Sequence, residues 1–590
     1  MGSTPELDDL KALWKKSWEP ALAAWSRFTK LSEPRWCLNN KDEAAQKLSG
    51  SFAMIRLQDH AVVVSLKLIR EKKLEKFAVE ILAHEIGHHV LAPGDLRDNA
   101  RLLARVRAGL PGCEAQAPLV ANLFTDLLIN DRLQRSAGLK LAEVYQALRS
   151  EDANPLWVLY MRVYEILWSL PSGTLIAPSK DPQIDLDAGL GARVVRVYAK
   201  DWLKGAGRFA ALLCPYLLNQ QGAETQRMIL RPWLDTEQAG AGDEIPDGLT
   251  SLDDDEQEQP LHPSEDEKIT GLDQKGQKKS KAEDAGLDGS GKERIGGRKN
   301  EHRGPGEYAE LMRSLGVAVS EQEVVMRYYR ERAIPHLIRF PEREIPRSTD
   351  PLPEGVEIWE PGDPLSEVDW TETVTRSPVI LPGVTTVKRV FGSSPGTSPE
   401  RQPLDIYIGI DCSGSMGNPA SRLSYPVLAG VVIAVSALRA GAAVMACLSG
   451  EPGEHSETHG FVRGEQEILK ILTGYLGTGY SFGMSRLDKT FVQGLKLKRP
   501  AHVLIVSDSD LFHMLDEYAD GWGVAERTLE LVGGGGTIVL ELPKGSRHPQ
   551  IKRLEQMGWK VHCVTNQAQL VDFARAFSRE KYEQQRPRAK

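Results

Sequence analysis

Apolar positions recur in two rhythms along this chain of 590 residues. From residue 1 to about 233 they mostly fall three and four apart, the spacing of amphipathic helices. Two β-rich runs interrupt that stretch, Ser51–Leu57 and Ala61–Ile69. Strands followed by a series of helices predict an α+β, mostly helical first domain. From Leu404 the rhythm changes. Near-continuous apolar runs (LDIYIGI, AAVMACL, HVLIVS, TIVLEL, KVHCVT) alternate with helical stretches such as RLSYPVLAGVVIAVSALRA and EQEILKILTGYL. Buried strands alternating with helices predict an α/β doubly wound parallel sheet with both faces covered. Its binding crevice is expected at the carboxyl ends of the strands.

Between these regions, Leu234 to Glu307 contain no Phe, Trp or Tyr. An acidic block from Asp253 to Glu267 gives way to a Gly-rich block with Lys and Arg. Such a segment has little apolar surface to offset its ordering entropy, so a disordered tether is expected. Residues 308–339 read as helical. Residues 340–403 are Pro-rich and irregular, with few strand candidates such as Thr385–Phe391. The expected organisation is therefore a first domain over 1–233, a linker over 234–307, a connecting region over 308–403 and an α/β domain over 404–590. Gly533–Gly536 lacks the GK[ST] of a phosphate-binding loop and is expected to be a turn.

A chain this long carries more than one core. Its hydrophobic fraction of 41% and charged fraction of 26% are those of ordinary globular proteins. A net charge of -8 argues against a general nucleic-acid binder, which needs a basic face. Six scattered Cys without a CxxC pair favour reduced thiols over a disulfide framework. The first residues, MGSTPELDDLKALWKKSW, read as an amphipathic helix with no apolar leader core. The longest apolar run, Leu428 to Leu438, is shorter than the roughly 20 residues a bilayer requires. These features point to a cytoplasmic protein without a membrane or nucleic-acid partner.

The first candidate chemistry is His84-Glu85-Ile86-Gly87-His88, an HExxH motif in a helical stretch. Positions i and i+4 share a helix face, so both imidazoles can reach one Zn²⁺, and Glu85 can deprotonate a bound water. Leu74, Phe77, Ala78, Ile81 and Leu82 mark an apolar stripe that continues into Glu85 and His88, so the polar groups point inward. Burying them uncompensated would be costly, and a metal ion removes that conflict. The alternative is an inward His pair satisfied by ordinary hydrogen bonds. Catalytic zinc needs a third protein ligand and an open position. In PLVANLFTDLLINDRLQR, Asn122, Asp126 and Asn130 fall four apart on one face. Asp126 is the expected ligand, with Asn130 and Asp131 as supporting partners and Asp95 or Asp98 as reserves. The alternative is the wet side of an amphipathic helix. His89 falls on a neighbouring face.

The second candidate is Asp411-Cys412-Ser413-Gly414-Ser415, directly after the strand LDIYIGI and before a helix. The arrangement resembles the von Willebrand factor A (vWA) domain, a Rossmann-like sheet, with its metal-ion-dependent adhesion site. The resemblance implies Asp411, Ser413 and Ser415 as Mg²⁺ ligands and Asp508, after HVLIVS, as the second Asp. An oxygen-only shell suits a hard cation. The chain departs from the family pattern twice. Asp508 is followed by Ser509-Asp510 where Gly is usual, and the Thr loop reads Gly477-Thr478-Gly479-Tyr480-Ser481, so either Thr478 or Ser481 supplies the hydroxyl. The alternative is a DxSxS serving only as a helix cap. The segment Trp359 through Trp370 also looks like one that accompanies such domains in bacteria.

Taken together, HEIGHH and NLFTDLLIN with DCSGS and VSDSD resemble bacterial two-domain proteins pairing a zincin-like metallopeptidase domain with a C-terminal vWA domain. That resemblance implies a partnership with a MoxR-family AAA+ ATPase. Two functions follow as expectations: a zinc peptidase coupled to a Mg²⁺-dependent protein-binding module, or a non-catalytic adaptor with a structural or vestigial metal site.

Overall fold

In a computed structural model of the protein, residues 5–48, 50–149, 154–218, 245–253, 256, 259–271, 302–345, 349–395, 400–450, 454–479, 482–494, 496–542, 548–566, 569–574 and 577 are described. The chain is multidomain and largely helical, with one mixed six-stranded sheet. It divides into Met1–Glu331 with Ala420–Arg422, and Arg332–Pro419 with Leu423–Lys590.

In the first unit, β1 (Arg35–Cys37), β2 (Ala53–Arg56) and β3 (Ala61–Ser65) form a small sheet in the order β1-β3-β2. The run expected as a strand over Ala61–Ile69 ends at Ser65. There Ser65 Oγ accepts a hydrogen bond from Leu68 N at 3.1 Å and starts the helix Leu66–Glu71. The helices Ala78–Val90, Leu96–Ala108, Ala117–Arg135, Pro155–Leu167, Pro182–Val197 and Trp202–Leu218 follow. The helix Ala117–Arg135 is central, with all but Pro118, Arg132, Gln134 and Arg135 buried. A helix apolar on nearly every side belongs in a core. That burial carries Asn122, Asp126 and Asn130 into the interior.

Of the charged stretch 234–307, expected as a disordered tether, residues 234–244, 254, 255, 257, 258 and 272–301 lie outside the described residues. Leu249, Thr250, Asp266, Ile269 and Arg303 are buried. Asp266 accepts from Tyr198 Oη at 2.6 Å and pairs with Arg208, while Thr250 Oγ1 donates to Glu331 at 2.7 Å. Ordering here comes from polar partners elsewhere in the unit, which local composition does not reveal. The helices Pro305–Ser314 and Glu321–Ala333 fall largely within the same unit.

The Pro-rich stretch is also more regular than expected. β5 (Thr349–Ile358) pairs antiparallel with β6 (Val387–Pro395), and β4 (Glu342–Ile345) with β7 (Glu400–Pro403). The main sheet runs β10-β9-β8-β11-β12-β13, made of β8 (Asp405–Asp411), β9 (Val444–Gly450), β10 (Glu454–Glu457), β11 (Ala501–Asp508), β12 (Gly533–Glu541) and β13 (Trp559–Val564). Five strands are parallel and the edge strand β10 is antiparallel, which corrects the expectation of a wholly parallel sheet. Gly533–Gly536, expected as a turn, opens β12 with an irregular register against Ala501–Val503.

Both faces are covered. A Cβ on Gly430 of the helix Tyr425–Arg439 would stand 2.8 Å from Ile410 Cδ1, and one on Gly409 would stand 2.6 Å from Phe482 Cε2. Chain direction across the sheet reverses between β8 and β11, so a crevice opens at their carboxyl ends, where Asp411 and Asp508 lie. Among the described residues, no helix is long and apolar enough to cross a membrane. All six cysteines are free thiols.

Candidate metal centres

The helix Ala78–Val90 puts His84 and His88 one turn apart with Glu85 next to His84, and the packed helix Ala117–Arg135 delivers Asp126 beside the two imidazoles. Donor atoms of His84, His88 and Asp126 all lie within 4.8 Å of one another. Among the described residues, no other set of three or more His, Cys, Asp or Glu side chains comes so close. Asp126 Oδ1 is 3.7 Å from His84 Nε2 and 3.5 Å from His88 Nε2. Both spacings exceed a good N–H···O hydrogen bond. They approach the roughly 3.4 Å between neighbouring ligand atoms in a tetrahedral shell with bonds of about 2.0–2.2 Å. The donor set therefore fits a zinc ion.

Each ligand is steered from behind. His84 Nδ1 meets Asn130 Oδ1 at 2.7 Å, and His88 Nδ1 meets the Ala92 carbonyl at 3.1 Å. An Nδ1 hydrogen bond to a carbonyl oxygen leaves the Nε2 lone pair for a metal. Asn122 Nδ2 donates to Asp126 Oδ2 at 3.0 Å, leaving Oδ1 toward the imidazoles. His88 is 0%, Glu85 1% and Asp126 2% exposed, whereas the His84 side chain, at 12%, is partly exposed.

The remaining sequence candidates fall elsewhere. Asp131, expected to support the metal, instead pairs with Arg135 one turn on, with Nε at 2.7 Å. Asp95 caps the next helix by accepting from Asp98 N at 2.8 Å, and neither acid joins the metal group. His89 packs on His60 with ring centres 4.3 Å apart. Sequence reasoning missed the three tyrosines near Asn130 (Tyr145, Tyr160 and Tyr164), which at helical spacing look like ordinary core. It also missed Gly87, the contact point between the two helices.

In the second unit, Asp411 ends β8 in a buried position. Its Oδ1 accepts from Ser413 N at 2.8 Å and its Oδ2 from Ser507 Oγ at 2.7 Å. Burial, with the Asp508 charge adding to it, pushes the Asp411 carboxyl up to about 6. A cation relieves that desolvated charge. Ser413 and Thr478 bridge as neighbouring strands, with Gly414 N donating to the Thr478 carbonyl at 2.8 Å. The Thr478 hydroxyl fills the space beside Gly450, where any side chain would collide with it. Asp508 is half-buried at the end of β11, and its Oδ1 accepts from Asp510 N at 2.9 Å. The Ser415 side chain and Ser481 lie outside the described residues. Asp411, Ser413, Thr478 and Asp508 thus offer oxygen donors near the ends of β8 and β11, a chemistry that suits a hard cation. Ser507, hidden inside an apolar strand, is an Asp411 partner that the sequence did not flag.

No protein-family model matches the chain, and no curated protein matches it. Among solved structures, the chain is similar to von Willebrand factor type A from Catenulispora acidiphila at 12% identity with a TM-score of 0.22. The likeness covers 31% of this chain and 43% of that one, less than half of the solved chain.

Proposed function

We propose that the protein is a zinc-dependent peptidase joined to a vWA-like, Mg²⁺-dependent protein-binding module. The convergence of His84, His88 and Asp126 from two buried helices supports the hydrolytic half. In this reading His84, His88 and Asp126 would hold a zinc ion, which would supply Lewis acidity, and Glu85 would serve as the general base. Asn130, the Ala92 carbonyl and Asn122 hold the ligands in position. Asp411, Ser413, Ser415, Thr478 and Asp508 would hold Mg²⁺, which would supply a Lewis-acidic contact for a carboxylate of a partner. The resemblance drawn from the sequence motifs makes a MoxR-family AAA+ ATPase the proposed partner.

One observation favours a second reading. Glu85 and His88 are sealed from solvent, whereas an extended polypeptide needs an open groove. In that reading the metal is structural and the protein is an adaptor. Metal analysis and a cleavage screen of wild type against Glu85→Gln separate the two. The peptidase reading expects zinc in both and hydrolysis lower by about 10²–10⁴-fold in the variant. Equal zinc with no difference in cleavage leaves the adaptor.

A further inference from the structure

Behind His84 stands a set of hydrogen bonds whose proton order can be read from one end. Tyr160 Oη lies 3.1 Å from the Leu123 carbonyl. A carbonyl only accepts, so the Tyr160 proton is committed there. Tyr160 Oη is also 3.1 Å from Tyr164 Oη, and with its own proton engaged it receives the Tyr164 proton. Tyr145 Oη in turn donates to Tyr164 Oη at 3.1 Å. The protons of Tyr145 and Tyr164 are then both engaged, and their oxygens face Asn130 as acceptors.

Asn130 Nδ2 donates to both, at 3.0 Å to Tyr145 and 2.9 Å to Tyr164. That fixes the side-chain amide with Oδ1 toward His84 Nδ1, 2.7 Å away. The imidazole must then carry its proton on Nδ1. The lone pair is left on Nε2, the atom facing Asp126. With the amide turned over, its NH₂ would donate to Nδ1, the proton would sit on Nε2, and that atom could not bind a metal.

We infer that Tyr160, Tyr164 and Tyr145 are positioning residues that set the metal-binding tautomer of His84 through Asn130, with the Leu123 carbonyl as the fixed end of the chain. This deepens the metal reading of His84, His88 and Asp126 and rests on it. Burial pushes the Tyr160 and Tyr164 hydroxyls above the usual tyrosine range, with Asp126 adding to the effect, which favours the neutral phenols. The surrounding rings are tightly packed: Tyr164 lies 4.5 Å from Trp168 and 5.2 Å from Tyr160, centre to centre.

Two readouts on the full-length chain test this. The first is the ¹⁵N shift pattern of His84 in metal-free protein with labelled histidine, assigned with His84→Gln; it reports the tautomer directly. The second is zinc affinity by competition with a chromophoric chelator. Wild type is expected to show the Nδ1-protonated form. Tyr160→Phe and Tyr164→Phe are expected to mix the tautomers and to weaken zinc by about 10-fold or more, the usual reach of groups behind metal ligands. Adding Asn130→Asp to Tyr160→Phe is expected to restore the tautomer, because a carboxylate can only accept from Nδ1. A purely structural role for the tyrosines predicts no such rescue. A His84 protonated on Nε2 in wild type, or single variants that keep both tautomer and affinity, overturns the proposal. If zinc fails to bind any variant while His84 keeps its Nδ1 proton, the proton order stands and only the metal reading fails.

Discussion

Gly87 and Ile129 meet where the helix Ala78–Val90 crosses the helix Ala117–Arg135. A Cβ on Gly87 would stand 2.5 Å from Ile129 Cγ2 and 2.7 Å from Trp25 Cζ2. Trp25 is itself tied to the motif helix, its Nε1 donating to the Ala83 carbonyl at 2.7 Å. The missing side chain lets the two helices approach closely enough for Asp126 to come within 3.5 Å of His88.

Gly87→Ala is therefore expected to disturb the metal centre while changing no ligand. Alanine gains about 1 kcal/mol of helix propensity. Overpacking at this seam costs about 1–3 kcal/mol and wins. Thermal unfolding should show a net loss of stability, and zinc competition should show weakened binding. Wild-type affinity in a stable variant would mean that the seam does not position Asp126.

Asn122 holds one carboxylate oxygen of Asp126 from inside the same helix. Asn122→Leu keeps similar volume and removes that hold. Zinc affinity is expected to fall about 10–100-fold. Chelator competition measures it, and an unchanged affinity would remove Asn122 from the supporting set.

Asp411 makes a pH-dependent contribution in the second unit. Its carboxyl is raised from 3.8 to about 6, so the folded state holds this proton more tightly than the unfolded chain does. Its contribution to stability therefore falls as pH rises from about 4 to about 6, and the full penalty, about 3 kcal/mol, stands above that. Without divalent cations, Asp411→Asn should gain melting temperature relative to wild type across this window. Added Mg²⁺ should stabilise wild type alone. Parallel pH profiles for the two proteins would contradict the assignment.

Gly450→Ala places a methyl where the Thr478 hydroxyl sits. The expected result is weaker Mg²⁺ binding by titration calorimetry, with zinc binding in the other unit unaltered. Intact Mg²⁺ affinity would exclude Thr478 as a ligand.

The residues that the sequence exposed are those whose chemistry clashes with their local pattern. His84, Glu85 and His88 interrupt an apolar stripe, and Asp126 lies in a mostly apolar helix that is buried on nearly every side. Polar groups at buried positions stand out because burial without a partner is costly. Tyr145, Tyr160 and Tyr164 produced no such clash, since an aromatic at helical spacing fits a core. The β5–β6 ribbon was hidden for another reason. Pro351, Pro353 and Gly355 weaken the local strand signal, and the pairing is supplied by residues 387–395, from 29 positions (Ile358 to Val387) to 46 positions (Thr349 to Pro395) away. Ordered parts of the acidic stretch escaped notice because Glu256 finds Arg303, and Asp266 finds Tyr198 and Arg208, across long separations.

The burial of Glu85 and His88 also bears on control. In the peptidase reading, a general base and a metal-binding imidazole walled in this deeply would make the protein latent, able to circulate among other proteins without cutting them. Turnover would then be paced by how often that wall parts, and any factor that strains the two helices would act as the enzyme's throttle.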